Sequence, residues 1–590
     1  MKKLLTILLV IAMLFSATAC GGKKEDNNTT TTTTAPTLTY LYNNGSGHQA
    51  IAEYFQGALA TAGVNIQLEN QEWATFLNTR KNGDFTIARN GWLGDFNDPI
   101  SFLDMWTTES GNNDCQFGKG AHKDAAIYSV DCTDLGIDLK VENGTWAETY
   151  DAIIAIVKTS ADQDLRFALM HKAEDLLMST GAITPLYYYT DVYMISDKIS
   201  GFYSSPLGYK FFNKTTLADG STTLPVCIAS EPDNIDPALN SSVDGATLVS
   251  HCFSALAKWD SVNGVPTVVA ELAKELSEPV YNEDGTVTYT YELVSGAKWS
   301  DGVEVKASDF EWAWKRAASD ELGADYGYMF DCIKGYGTPE GLDVTADDAA
   351  GTITVTLNNY TAYWNELLAF PTYMPLRRDI VENNEAWATD PSTYVTNGMY
   401  TMTGWDHNSK ITLTKNPDYV NADEVTMEVI EFYLSDDDNA MLSNFKTGDW
   451  LFIDSVPNAE IDTLKAEYAN EFVIAGQLGT YYVCWNVNAD LLGAAGKDMD
   501  VAAYQNEQAA VRNAMSLVLD RNYIVREIGK AGQEPASSFV ALGLIEPDGS
   551  EFCKNAGHND AFVGYYDVAE EAYEANYNAA MEVISKYYGK

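Results

Sequence analysis

Between residues 38 and 89, short apolar runs alternate with stretches that have helical spacing. Residues 38–42, 64–68 and 85–89 carry the apolar or alternating pattern of strands, while 48–62 and 72–80 place apolar side chains at helical intervals. Strand, helix, strand, helix and strand at these lengths predict a parallel sheet with helical crossovers.

The segment that follows the third strand is rich in glycine, asparagine, aspartate and proline. It contains Trp92 and Asp95 and ends at Pro99. Ligands of open parallel sheets bind beyond the carboxyl ends of the strands, so this position predicts a binding site. Asp95 is the candidate charge that grips a ligand; the alternative is that it only forms an Asx-type turn.

Later parts of the chain predict a mixed architecture. Residues 165–180 have the pattern of an amphipathic helix, and residues 183–195 that of a strand. From residue 268 the alternation is of the antiparallel type, and residues 308–311 form a capping box that should open a helix. An α+β block at roughly 265–385 is therefore expected to form its own domain.

Length and charge narrow the classes of function. A chain of 590 residues is too long for one core, so two or three domains are expected. Its net charge of −47 repels nucleic acid and anionic lipid headgroups, so we expect no nucleic-acid partner.

The first residues have the pattern of an export signal. Lys2 and Lys3 precede an apolar run at 4–15, which is too short to span a membrane. Residues 17–20 read Ala-Thr-Ala-Cys and resemble a bacterial lipobox, which implies a signal peptide at 1–19 and lipid attachment to Cys20. The alternative is ordinary signal cleavage with an incidental cysteine. The polar, threonine-rich stretch up to residue 37 should be a flexible tether.

Cysteine and histidine positions give little support to a metal site or a cofactor. Seven cysteines remain after Cys20, and none forms a C-x-x-C pair. Cys115 and Cys132 could close a loop in an exported protein, although the sequence does not decide this. The six histidines form no ligand cluster, so we expect no metal and no cofactor.

Several short motifs are distributed along both parts of the chain. In the second part they are Ser-Glu-Pro-Asp-Asn-Ile-Asp-Pro at 230–237, the stretch 293–310, Thr-Asn-Gly-Met-Tyr at 396–400 and Asn-Pro-Asp-Tyr at 416–419. In the first part they lie at 42–43, 69–73, 79–80, 88–92 and 185–189. Together these motifs resemble the oligopeptide-binding proteins of bacterial ABC importers, and the resemblance runs from about residue 38 to the end.

The order of these parts differs from that of the family. Residues 38–214 resemble the family's C-terminal part and residues 223–590 its N-terminal and middle parts, so the chain resembles a circular permutant joined by a bridge at 215–222. A fusion of two genes, or partial units that complement between molecules, is the alternative. Exposed chain ends that lie close together make permutation physically reasonable.

The resemblance implies a two-lobed α/β fold of the periplasmic-binding-protein type with an additional domain. The implied divisions are a ligand-gripping lobe of 38–195 with 481–590, a central lobe of 196–265 with 386–480, and an α+β domain at 266–385. The two large lobes should close on a ligand by a hinge.

The same resemblance implies the site residues. Asp95 takes the position that pairs with the α-ammonium of a bound peptide. Trp92 and Trp73 take positions that line the side-chain pockets. Arg89 and Arg80 take basic positions that can meet the peptide carboxylate. Glu231, Asn397 and Gly398 match stretches of the family's proteins that run along the main chain of the bound ligand. Alternatives are core aromatic residues for the tryptophans and structural ion pairing for the arginines.

The implied function is that of a lipid-anchored receptor on the outer face of the bacterial cytoplasmic membrane. It would capture short peptides and deliver them to an ABC permease, and we expect a monomer without enzymatic activity. An alternative is binding of another solute, such as an oligosaccharide or a metal chelate. A secreted hydrolase is a more remote alternative, because the sequence lacks G-x-S-x-G and H-E-x-x-H.

Overall fold

The computed structural model describes residues 35–555 and 565–589. The signal peptide, Cys20 and most of the tether lie outside the described residues. Within the described part, no helix is both long and apolar enough to cross a membrane.

The structure contains strands of very different lengths, from two-residue pairings to two strands of 13 and 14 residues. In chain order they are β1 Leu38–Asn43, β2 Ile66–Gln71, β3 Ile87–Leu93, β4 Tyr128–Asp131, β5 Lys140–Gly144, β6 Ile183–Ile195, β7 Ile199–Ser200, β8 Tyr203–Ser204, β9 Lys210–Phe211, β10 Thr216–Leu217, β11 Thr223–Ala229, β12 Ala257–Val262, β13 Val265–Ala270, β14 Val280–Tyr281, β15 Val287–Glu292, β16 Val344–Asp347, β17 Thr352–Leu357, β18 Tyr400–Asp406, β19 Lys410–Lys415, β20 Val429–Leu434, β21 Phe452–Ile453, β22 Phe472–Trp485 and β23 Glu534–Pro535.

The α-helices alternate with these strands along the chain. In chain order they are α1 Ser46–Thr61, α2 Trp73–Lys81, α3 Ile100–Leu103, α4 Ala152–Thr159, α5 Gln163–Ser179, α6 Val243–Cys252, α7 Ala307–Ala317, α8 Trp364–Leu367, α9 Arg378–Val381, α10 Asp438–Thr447, α11 Ile461–Glu467, α12 Val501–Leu517, α13 Arg521–Tyr523, α14 Phe552–Asn555 and α15 Tyr573–Tyr588.

The largest sheet has two halves that are joined by β6 and β22. Its order is β18-β19-β20-β11-β21-β6-β22-β3-β1-β2, with β23 on β6. The C-terminal end of β6 pairs with β21, the C-terminal half of β22 pairs with β3, and the two long strands pair with each other. Their mutual register shifts between Gly476 and Thr480, where the two halves meet. The predicted mixed α/β class with two lobes is confirmed.

Parallel pairing in the first lobe agrees with the prediction. β1 pairs in parallel with β2 and with β3. Strand β3 begins two residues later than its apolar run and continues to Leu93, because it also pairs with β22 along Ile87–Leu93. Trp92, expected in a loop, therefore lies at the end of a strand.

A separate antiparallel sheet of order β14-β15-β17-β16 lies within the predicted additional domain. Helix α7 packs on this sheet. The predicted start of this helix, with Ser308 as the capping residue, is wrong. The helix begins at Ala307, where Asp309 accepts a hydrogen bond from the Lys306 backbone N–H at 2.9 Å. The Ser308 hydroxyl instead donates to Asp348 at 2.8 Å, so Ser308 is not the cap.

All seven cysteines in the described residues are buried thiols without disulfides, including Cys115 and Cys132. Burial raises the pKa of the Cys115 thiol, and the neighbouring Cys484 thiol raises it further. The thiol beside Cys115 is therefore that of Cys484, which the sequence spacing did not suggest.

Candidate ligand-binding site

A cavity of about 510 Å³ lies between the two lobes, in front of β6. Its first wall comes from the ends of β1 and β3 with α1 and α2, and its facing wall from α6, α10 and the segment 454–458. Five of the eight sequence-predicted binding residues line it, namely Trp73, Arg80, Arg89, Trp92 and Asp95. The predicted strand-end position thus coincides with an interlobe cleft.

Asp95 is 7% exposed and keeps one carboxylate oxygen without a protein partner. Oδ1 accepts a hydrogen bond from the Tyr326 hydroxyl at 3.1 Å, whereas Oδ2 is buried and accepts none from the described residues. Burial raises the pKa of this carboxyl well above its ordinary value, and the Tyr326 hydroxyl opposes the shift. Leaving such an oxygen unsatisfied costs free energy, so a cationic donor in the cavity would be favoured.

Ser101 holds both Asp95 and Trp92 in place. The backbone N–H of Asp95 donates to Ser101 Oγ at 2.7 Å, and Trp92 Nε1 donates to the Ser101 carbonyl at 2.8 Å. Neither Ser101 nor Tyr326 was predicted. Tyr326 is 231 positions from Asp95 in the sequence, so no local pattern could have indicated the contact.

Arg89 is a buried cation whose hydrogen-bond partners in the described chain are neutral. Its Nε donates to Asn43 Oδ1 at 2.7 Å, and its Nη2 lies 2.9 Å from His48 Nε2. The rings of Trp73, Phe76 and Tyr481 surround the guanidinium at 5.5–5.8 Å.

His48 is kept neutral beside this guanidinium. Burial and the Arg89 charge lower the pKa of His48 well below its ordinary value. The neutral ring then accepts from Arg89 at Nε2 and donates from Nδ1 to the Tyr481 hydroxyl at 3.2 Å. The cavity therefore presents a positive group that no carboxylate of the described chain neutralises.

Arg80 differs from Arg89 because its charge is already paired. Its Nε lies 2.7 Å from Asp114 Oδ2, which also accepts from Asn90 Nδ2 at 2.9 Å. Geometry thus makes Arg89 the more available of the two arginines for a ligand carboxylate.

A second group of charges, which sequence reasoning missed, combines Lys210 and Asp454 of the facing lobe with Asp191 of β6. Lys210 is 2% exposed and lies 2.7 Å from Asp191 and 3.4 Å from Asp454. Burial raises the pKa of Asp454 to about 7, although Lys210 opposes the shift. All three residues line the cavity, and Lys210 forms ion pairs with both Asp191 and Asp454.

The remaining three predicted residues lie outside the cavity lining. Glu231 accepts from the Asn408 backbone N–H at 2.7 Å and contacts His407. The Asn397 side chain is bonded to Ser254 backbone atoms, and the Gly398 N–H donates to the Cys252 carbonyl. Their contacts in this structure join parts of the central lobe to each other.

A second cavity of about 970 Å³ lies on the opposite face of β6. Tyr188 lines only this one, whereas Tyr187 and Asp191 line only the first. Although it is larger, it holds no carboxylate comparable to Asp95, with a buried oxygen lacking a partner. The smaller cavity is therefore the better candidate. Among the described residues, no group of three or more His, Cys, Asp or Glu could hold a metal ion.

Comparisons with known proteins place these features in context. A model of the middle region of bacterial extracellular solute-binding proteins, family 5, matches residues 18–114 and 267–570, which is more than half of the chain. The oligopeptide-binding protein OppA of Bacillus subtilis (strain 168) is 33% identical over 333 residues, or 54% of this chain and 57% of that protein. The dipeptide-binding protein DppE of the same organism is 29% identical over 359 residues, or 57% and 59%.

These alignments span less than two thirds of either relative. Among solved structures, Listeria monocytogenes OppA bound to peptide is 26% identical, with coverage of 63% of this chain and 74% of that one and a TM-score of 0.47.

Proposed function

Because the chain belongs to family 5 of the bacterial extracellular solute-binding proteins, we propose that it captures short peptides between its two lobes and delivers them to an ABC importer. The observation that carries the proposal is the Asp95 carboxylate, which is buried in the interlobe cavity with Oδ2 unpartnered. An α-ammonium donating to Oδ2 would satisfy it with a charged hydrogen bond.

Arg89 supports a peptide over other solutes. A zwitterionic peptide offers a carboxylate as well as an ammonium, and Arg89 lines the same cavity with neutral partners only. A neutral oligosaccharide would leave both charges buried and unpaired. Trp73 and Trp92 supply apolar walls that accept varied side chains without specific hydrogen bonds.

We propose a binding role without catalysis, with a permease as partner and a monomeric chain. Cleavage before Cys20, with lipid attached to that cysteine, would anchor the protein on the outer face of the membrane. The lipobox-like residues 17–20 and the polar tether support this part of the proposal.

We also propose that the chain is a circular permutant, divided as 38–195 with 481–590, 196–265 with 386–480, and 266–385. Two observations support this. The Tyr577 hydroxyl lies 3.3 Å from Thr61 Oγ1, which puts the last helix beside the first. Residues 218–222, which would bridge the former ends, are exposed. Both features are what tolerated permutation requires.

The decisive experiment is native mass spectrometry of ligands that co-purify with the recombinant protein. Masses of short peptides, released on denaturation and absent from a sample refolded without ligand, would support the proposal. Sugars or metal chelates as the released species would refute it. Calorimetric titration of the refolded protein with a tripeptide then measures the affinity directly.

A further inference from the structure

One helix start in the first lobe is capped from the other lobe. Helix α1 begins at Ser46, and its own N-cap residue, Gly45, has no side chain to accept from the exposed N–H groups. Asp438 Oδ2 instead accepts from the Ser46 backbone N–H at 2.8 Å and from the Ser46 hydroxyl at 2.7 Å. Asp438 thus satisfies one of the exposed N–H groups at the helix start, as a capping residue does, from 392 positions away.

The acceptor belongs to the facing lobe and is held rigidly there. Asp438 is 7% exposed and lies in the first turn of α10, which follows β20 in the half-sheet beyond β6. Its Oδ1 accepts from the Ser455 hydroxyl at 2.6 Å, so the carboxylate is oriented before it meets α1. Its negative charge also faces the positive end of the α1 dipole.

Neighbouring contacts extend the same junction. Asn44 Nδ2 donates to Asp436 Oδ2 at 2.6 Å, and the Asn458 N–H donates to Ser46 Oγ at 3.3 Å. A Cβ at Gly47 would lie 2.8 Å from Asn458 Oδ1, so a larger residue there would require the Asn458 side chain to shift. The junction lies at the mouth of the ligand cavity, which Asn44, Gly47, Asp436 and Asp438 help to line.

We propose that Asp438 is a positioning residue for ligand capture: by capping α1 across the cleft, it holds the two lobes closed over the bound ligand. The inference rests on the proposed function, because closure matters only if the cavity takes a ligand. The cap exists only when the lobes meet, so its free energy adds to closure and not to the stability of either lobe. This contact of Asp438 with Ser46, called the latch below, should therefore slow the release of every ligand, whatever the chemistry of the ligand's termini.

The test compares Asp438→Ala with Asp437→Ala in the full chain. Asp437 is a matched control, since it caps its own helix α10 through Asn439 and Ala440 and its side chain makes no contact across the cleft in the described structure. Loss of a cap corresponds to roughly a 2- to 30-fold change in the closure equilibrium. Asp438→Ala should release free-amine and N-acetylated peptides faster by this factor in stopped-flow measurements, whereas Asp437→Ala should stay within about twofold of wild type.

Two further readouts keep the inference separate from the proposed function. Hydrogen exchange at the Ser46 amide should be faster in Asp438→Ala than in Asp437→Ala, and this comparison is made both without peptide and with a saturating peptide. If the wild type binds no peptide, the proposed function fails. Hydrogen exchange at the Ser46 amide still tests whether Asp438 caps α1. Equal exchange in the two variants, with peptide as well as without it, overturns the latch. A release effect confined to peptides with a free amine also overturns it, because that pattern indicates direct contact with the ligand. Ser46→Ala should also speed up peptide release and amide exchange at residue 46, but by less than Asp438→Ala does, because the backbone N–H still donates to Asp438.

Discussion

Replacing Asp95 by Asn should separate ligand binding from stability. Tyr326 already occupies Oδ1, so only Oδ2 remains for an ammonium. One charged hydrogen bond contributes about 1.5–3 kcal/mol, which corresponds to about a 10- to 150-fold weaker affinity for a free-amine tripeptide. An N-acetylated tripeptide carries no ammonium, so its affinity should change far less.

The same substitution should raise the stability of the ligand-free protein at neutral pH. Burial raises the pKa of Asp95 above its unfolded value, so the folded state binds this proton more tightly than the unfolded chain does. The stability that Asp95 contributes is therefore present below the unfolded pKa and is lost as the pH rises towards the folded pKa. Asn does not ionise, and Asp95→Asn should consequently melt at a higher temperature than wild type at pH 7 and not at pH 3.

Calorimetry with the two tripeptides and thermal melts at the two pH values check this reasoning. Affinity of the wild type for the free-amine peptide should fall as the pH drops through the Asp95 pKa. Tyr326→Phe is the matched control, because it removes the hydrogen bond that favours the carboxylate and should shift that pH profile upward. Equal loss of affinity for both peptides in Asp95→Asn would refute the pairing of Asp95 with an ammonium.

Three other perturbations test different parts of the molecule. Arg89→Gln should weaken binding of a free-carboxylate peptide more than that of its C-terminal amide in calorimetry, whereas Arg80→Gln should affect both alike, because Arg80 is paired within the protein. Gly479→Ala should lower the free energy of unfolding in urea by about 1–3 kcal/mol, since its Cβ would meet a neighbouring side chain at 2.3 Å, while Gly476→Ala, with open space, should not. A chain relinked at its ends and opened within residues 218–222 should fold and bind peptide with unchanged calorimetric affinity; an insoluble product would contradict the permutation.

Local patterns in the sequence predicted the elements that build the first lobe. The alternation at 38–89 specified three parallel strands, and the end of the third strand marked the side of the sheet where Asp95 lies. These predictions succeed because side-chain periodicity is set by the same few residues that pair or pack. The strand limits shifted by a few residues, since the pairing of β3 with β22 depends on residues almost 400 positions away.

Contacts between distant segments could not be predicted in this way. The partners of Asp95, Arg89 and Asp438 come from other parts of the chain, and no spacing rule connects Asp95 to Tyr326 or Asp438 to Ser46. The pairing of Arg80 with Asp114 likewise distinguishes two arginines that look equivalent in the sequence. Only the fold shows which charge is paired and which is available.

The distribution of unpaired charge gives the cavity a selectivity that size alone would not. Asp95 and Arg89 lie six positions apart, on β3 and the turn that follows it, and each lacks an ionic partner of opposite charge in the described chain. A ligand that carries an ammonium and a carboxylate satisfies both, whereas a ligand that lacks one leaves a buried charge unpaired at a cost of about 1–3 kcal/mol or more. Under the proposed function, discrimination therefore comes mainly from penalties on incomplete ligands. Side chains that meet the apolar walls can vary, because those walls make no specific hydrogen bonds.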